Sequence, residues 1–134
     1  MNKLSEIREL INLLIVTVLF VGIISCSSST PSNNKLGIDA VEVSPNQFKV
    51  LLENELVRVI EYSLEPGKKD NWHTHLRKTS YVLSGGKLKI VLENGEEFTV
   101  DEEKGKASWM SHVGKHYAEN IGESTVRILL TEIK

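Results

Sequence analysis

The sequence has little of what marks several large classes of protein. It carries one cysteine in 134 residues, so no disulfide pair can form within the chain. Its formal net charge is only -2, with 16 basic and 18 acidic residues, which gives no bias toward nucleic acid. No stretch reads as a long amphipathic helix, and no internal repeat is visible. Only one apolar run is prolonged, from Leu10 to Ile24, interrupted by Asn12, Thr17 and Gly22. It is shorter than the roughly 20 residues a bilayer-spanning helix needs. What remains is one domain of modest size behind an unusual N-terminus.

That N-terminus reads as a leader. Lys3 and Arg8 precede the apolar run, as in the basic and hydrophobic regions of a signal peptide. Ile23-Ile24-Ser25-Cys26 then resembles a bacterial lipoprotein box, in which the cysteine is lipidated and becomes the first mature residue. The lone Cys26 stands at the junction between the apolar run and the polar tract Ser27 to Asn34, outside the patterned part of the chain. The expected organisation is therefore a signal peptide over 1–25, a lipidated Cys26 with a flexible linker over 26–40, and a folded domain over 41–134. The corresponding location is the bacterial cell envelope, on the periplasmic or extracellular side, with a palmitate-type anchor in the membrane.

From about Val41 the pattern becomes alternating. Phe48 to Glu53, Leu56 to Leu64, Tyr81 to Leu83, Lys87 to Glu93, Phe98 to Val100, Ala107 to Met110, His116 to Glu119 and Thr125 to Ile133 read as strands. Asn94-Gly95 between Leu92 and Phe98 is a strong hairpin signal. Ser84-Gly85-Gly86 suggests a second hairpin just before it, and the two together an antiparallel meander. Gly105, Gly114 and Gly122 mark further breaks. An all-β fold follows, a small antiparallel barrel that closes its sheet edges and gathers one core.

Within it, His73 and His75 sit two apart, and on an extended strand both point the same way. Read alone, they are either packed rings or a pair of metal ligands. His116 is the best third ligand. His112 reads either as a surface residue or as a pocket residue beside it. Trp72 and Trp109 read either as lining the mouth of the barrel, beside a pocket, or as ordinary core and rim aromatics. Arg77, Thr79 and Tyr81 share nominal strand parity with the histidines, which would let Arg77 or Tyr81 meet an anionic ligand.

The two histidine segments resemble the motifs of the cupin superfamily. In the first, G-x5-H-x-H-x3/4-E-x6-G, Gly67, His73, His75 and Gly86 fit, while Thr79 or Ser80 stands where the glutamate belongs. In the second, G-x5-P-x-G-x2-H-x3-N, Gly105, His116 and Asn120 fit, Ser111 replaces the proline, and the glycine is displaced to Gly114. The resemblance implies a double-stranded β-helix (jelly roll) holding a divalent metal, Fe, Mn, Zn or Ni, through His73, His75 and His116. Two functions stay open on it: a metal-dependent oxygenase or isomerase acting on a small anionic molecule, and a non-catalytic module that binds metal or a small ligand. Either takes a small-molecule partner, uses no nucleic acid and leaves room for a homodimer.

Overall fold

Strand periodicity governs almost the whole of the described chain. The structure is a computed structural model that describes residues 37–134. A single helical turn, α1 (Ala40–Val43), comes first, capped by the Asp39 carboxylate, which accepts from the Val41 amide at 2.9 Å. Nine strands follow: β1 (Phe48–Glu53), β2 (Val57–Leu64), β3 (His73–His75), β4 (Lys78–Ser84), β5 (Gly86–Leu92), β6 (Glu97–Glu102), β7 (Ala107–Met110), β8 (Val113–Asn120) and β9 (Val126–Ile133). The leader, the linker start and Cys26 lie outside the described residues. Among the described residues, no helix is long and apolar enough to cross a membrane.

The strands form two antiparallel sheets, one ordered β1-β2-β9-β4-β7 and the other β3-β8-β5-β6. Their inner faces meet in one cluster: Ile60, Tyr62 and Leu64 of β2, Val82 of β4, Val126, Ile128 and Leu130 of β9, and across from them Leu88 of β5 and Ala118 of β8. Alternation explains the placement, because β9 buries every second residue from Val126 to Glu132 and exposes Arg127. Fully buried side chains such as Ile60 and Leu64 each contribute about 1.5–3 kcal/mol of hydrophobic stabilisation.

Two connections are instructive. At Asn94-Gly95 the chain does form the expected hairpin, with β5 and β6 paired in register from Gly86↔Glu102 to Val91↔Glu97. Leu92 closes the turn by accepting from the Gly95 amide, and Gly95 adopts φ +86°, where a side chain is strained. Ser84-Gly85-Gly86 is not a hairpin. There the chain leaves the five-stranded sheet and enters the four-stranded one, so β4 and β5 are not partners and the meander expectation is corrected. A Cβ on Gly85 would lie 2.3 Å from the Glu102 carbonyl oxygen, so the crossing is built around the missing side chain. Gly114 likewise falls inside β8 and not at a break.

Candidate functional site

The two histidine segments meet because β3 and β8 are antiparallel neighbours, with His73 directly opposite His116. A bulge between His73 and His75 leaves both rings facing inward. All three histidines are buried, and one ligand atom from each lies within 4.8 Å of the others. Phe48 packs its ring edge-on against His73 and His75, closing the apolar side of the cluster.

Hydrogen bonding fixes which nitrogen of each ring is free. His73 Nδ1 lies 2.7 Å from the Asn71 carbonyl oxygen, His116 Nδ1 lies 2.7 Å from the Gly114 carbonyl oxygen, and His75 Nδ1 lies 2.8 Å from Glu132 Oε1. A carbonyl or carboxylate oxygen can only accept, so each Nδ1 carries the proton and each Nε2 of a neutral ring presents a lone pair. Burial favours the neutral rings. It lowers His73 to about 4, His75 well below the ordinary 6.5, and His116 below it too. The Nε2 atoms of His73 and His75 are 3.1 Å apart, too close for two lone pairs with nothing between them. An ion with metal–nitrogen bonds of about 2.0–2.1 Å separates its ligands by roughly 2.9 Å at a right angle and 3.3 Å at a tetrahedral one. The geometry is compatible with a metal ion, and the donor set fits one.

Behind the rings stands a charged network. Glu132 is fully buried; its Oε1 accepts from His75 Nδ1 and its Oε2 accepts from Arg58 Nε at 2.9 Å and Nη2 at 2.6 Å. Arg58 Nη1 donates to Asp39 Oδ2 at 2.7 Å, which ties α1 to the same network. Although desolvation works against its charge, these two carboxylates hold the Arg58 guanidinium firmly protonated. Asp70 accepts from the Tyr62 hydroxyl at 2.9 Å and the Ala118 amide at 2.8 Å, with its Oδ1 3.7 Å from His73 Nδ1. Burial raises its carboxyl to about 6. Asn120, four residues beyond His116, holds backbone: its amide donates to the Leu64 and Ser124 carbonyls.

Other residues expected near the site lie elsewhere. Thr79 and Tyr81 are exposed, because the inward positions of β4 are Lys78, Ser80 and Val82. Parity counted from His75 fails there: β3 and β4 belong to different sheets, and the link through Leu76 and Arg77 resets it. Arg77 is exposed, as are His112, between β7 and β8, and Trp109, at 56%. Trp72 packs edge-on against Tyr117 and remains partly exposed. Sequence reasoning missed Glu132, Asp70 and Lys78. A signal for Glu132 existed, since it continues the inward series Val126, Ile128, Leu130, where a carboxylate needs a reason to be.

No protein-family model matches the chain, and no curated protein does. Solved structures match it in shape. A cupin domain from Bordetella pertussis Tohama I is 24% identical with a TM-score of 0.60, the match covering 65% of this chain and 91% of that one. An RmlC-like cupin family protein with a double-stranded β-helix from Methanocaldococcus jannaschii is 16% identical at 0.53, covering 64% and 77%. An uncharacterised conserved protein with a double-stranded β-helix domain from Klebsiella pneumoniae is 23% identical at 0.51, covering 64% and 73%. The fold is thus the double-stranded β-helix of cupin domains, with three buried histidines gathered inside it.

Proposed function

We propose that the chain is a member of the cupin superfamily that binds a divalent metal ion through His73, His75 and His116 and uses it to hold a small anionic molecule. One observation carries this: a ligand nitrogen from each of the three buried rings lies within 4.8 Å of the others, and an acceptor holds the Nδ1 of each ring. The carboxylate-to-histidine contact from Glu132 supports it, because such contacts orient and strengthen histidine ligands. Three neutral imidazoles leave the ion its full charge, which favours an anion in the remaining positions. A divalent ion held there supplies Lewis acidity to whatever occupies them. Isothermal titration of the full-length protein with zinc, cobalt and iron(II) tests the site. His73→Ala, His75→Ala and His116→Ala should each abolish or greatly weaken binding, and His112→Ala should leave it as in the parent, since His112 lies outside the cluster. Unchanged affinity in a folded His116→Ala protein would overturn the assignment.

We also propose, from sequence alone, that Cys26 is lipidated and tethers the domain to a membrane of the cell envelope. Cys26→Ser should release the protein from the membrane fraction or leave its precursor unprocessed. A processed, membrane-bound Cys26→Ser protein would refute it.

A further inference from the structure

Lys78 is the one lysine buried in the described domain, 6% exposed on the inward face of β4. It stands directly opposite Glu132 in the β4–β9 register, so the two side chains rise together from the same face of the sheet. Because Glu132 bonds His75 Nδ1 at 2.8 Å, this register sets Lys78 next to the carboxylate that backs the histidine cluster. Among the described residues its amine makes no hydrogen bond and no ion pair, and since none of their fully buried side-chain nitrogens lacks a partner, the amine keeps contact with solvent. The carboxylates of Glu132, Asp70 and Glu102 attract it only at longer range.

A structural role as counter-ion would be the ordinary explanation, and the hydrogen bonds argue against it. Glu132 already accepts from His75 and twice from Arg58, and Asp70 from Tyr62 and Ala118. Neither needs Lys78. Glu102, half-buried on β6, lies on the opposite sheet and forms no bond to the amine. A cation on the inward face with no hydrogen-bond partner, close to a cluster suited to a second cation, favours an anion between the two. Beside Lys78 on the same sheet, Ser80 and Ser108 share an exposed hydrogen bond at 2.7 Å, and Met110, the β7 partner of Lys78, is 41% exposed at the sheet edge.

We propose that Lys78 is the anion-recognition residue of this site, binding one oxygen of a small carboxylate whose other oxygen faces the ion held by His73, His75 and His116. The proposal rests on the metal-site reading. The ligand class it defines is a compact carboxylic acid. At neutral pH the amine is charged for this role, even though burial lowers it to about 8.

The test uses full-length protein loaded with cobalt(II), whose visible absorption reports what enters the open positions. Acetate is the probe, and imidazole, a neutral metal ligand, is the control. Lys78→Met should weaken acetate about tenfold or more, while imidazole affinity stays within about twofold; Lys78→Arg should retain most of the acetate affinity. Equal losses for both ligands, or no loss of acetate, would overturn the role. If Lys78→Met fails to fold, the parent protein decides. The ¹³Cε resonance of Lys78, identified by its loss in Lys78→Arg, should move with acetate and not with imidazole, and a resonance that ignores acetate refutes the proposal. A parent protein that takes up no cobalt overturns the metal site itself, and this proposal with it.

Discussion

At the residue scale, the site divides into what alternation reveals and what it hides. His73 and His75 were legible because two imidazoles two apart on a strand share a face, and His116 because it follows in a second segment at motif spacing. Thr79 misled for a physical reason. Parity counting holds only within one strand, and between His75 and Thr79 the chain changes sheets, so Lys78 takes the inward position and Thr79 the outward one. The motif glutamate is absent from the sequence, yet a carboxylate does stand near the histidines: it arrives from the far end of the chain as Glu132 and approaches His75 from behind. Two substitutions separate these positions. Glu132→Gln removes the charge that orients His75, and zinc affinity measured by titration calorimetry should fall about ten- to a hundredfold. Thr79→Glu, which sequence spacing alone would credit with completing a four-ligand shell, should leave affinity unchanged, because its side chain points to solvent. Parental affinity in Glu132→Gln, or a clear gain in Thr79→Glu, would contradict this account.

At the element scale, strands were far more readable than their partners. β1 and β7 begin and end where periodicity put them, and most others lie within a few residues. Pairing is another matter, because a strand's alternating pattern says that one face is buried without saying against which neighbour. The Asn94-Gly95 turn is a local device, so the β5–β6 hairpin could be read directly. Ser84-Gly85-Gly86 has similar composition and an opposite role. Its glycines are needed where the chain passes close to the Glu102 backbone and the Val126 side chain, a long-range crowding that sequence does not display. The same limit concealed the Arg58 network: Arg58, Glu132 and Asp39 come from β2, β9 and the cap of α1, and only the folded sheet brings them together.

At the scale of the whole molecule, an ion held by the histidines would make its binding and the folding of the domain one equilibrium. His73 and His75 on β3 and His116 on β8 belong to the four-stranded sheet, and the link from His75 through Glu132 to Arg58 reaches β9 and β2 of the other. An ion on the rings would therefore stabilise both sheets and their junction. At a hundredfold excess over its dissociation constant it should add about 2.7 kcal/mol, worth roughly 10 °C or more in Tm for a domain of this size. The pH dependence of the metal-free protein follows from the histidines. His73 is lowered to about 4 against 6.5 in the unfolded chain, and His75 and His116 shift the same way. Between those limits the unfolded state binds more protons, so this stability is present above pH 6.5 and is lost as pH falls toward 4. Asp70 opposes the trend, since its raised carboxyl is a cost at neutral pH that is relieved as pH falls through about 6. Glu102, half-buried, is raised by burial as well and opposes it in the same way, so three groups act against two and the net is a loss. Calorimetric scans should show the metal-free Tm falling between pH 7 and pH 4.5. Because protons compete weakly for rings with depressed pKa values, zinc should raise Tm well below the pH 6.5 at which ordinary histidines would release it. A Tm indifferent to zinc at pH 7, or a metal-free protein that gains stability on acidification, would show that the three rings do not govern the fold as their burial implies.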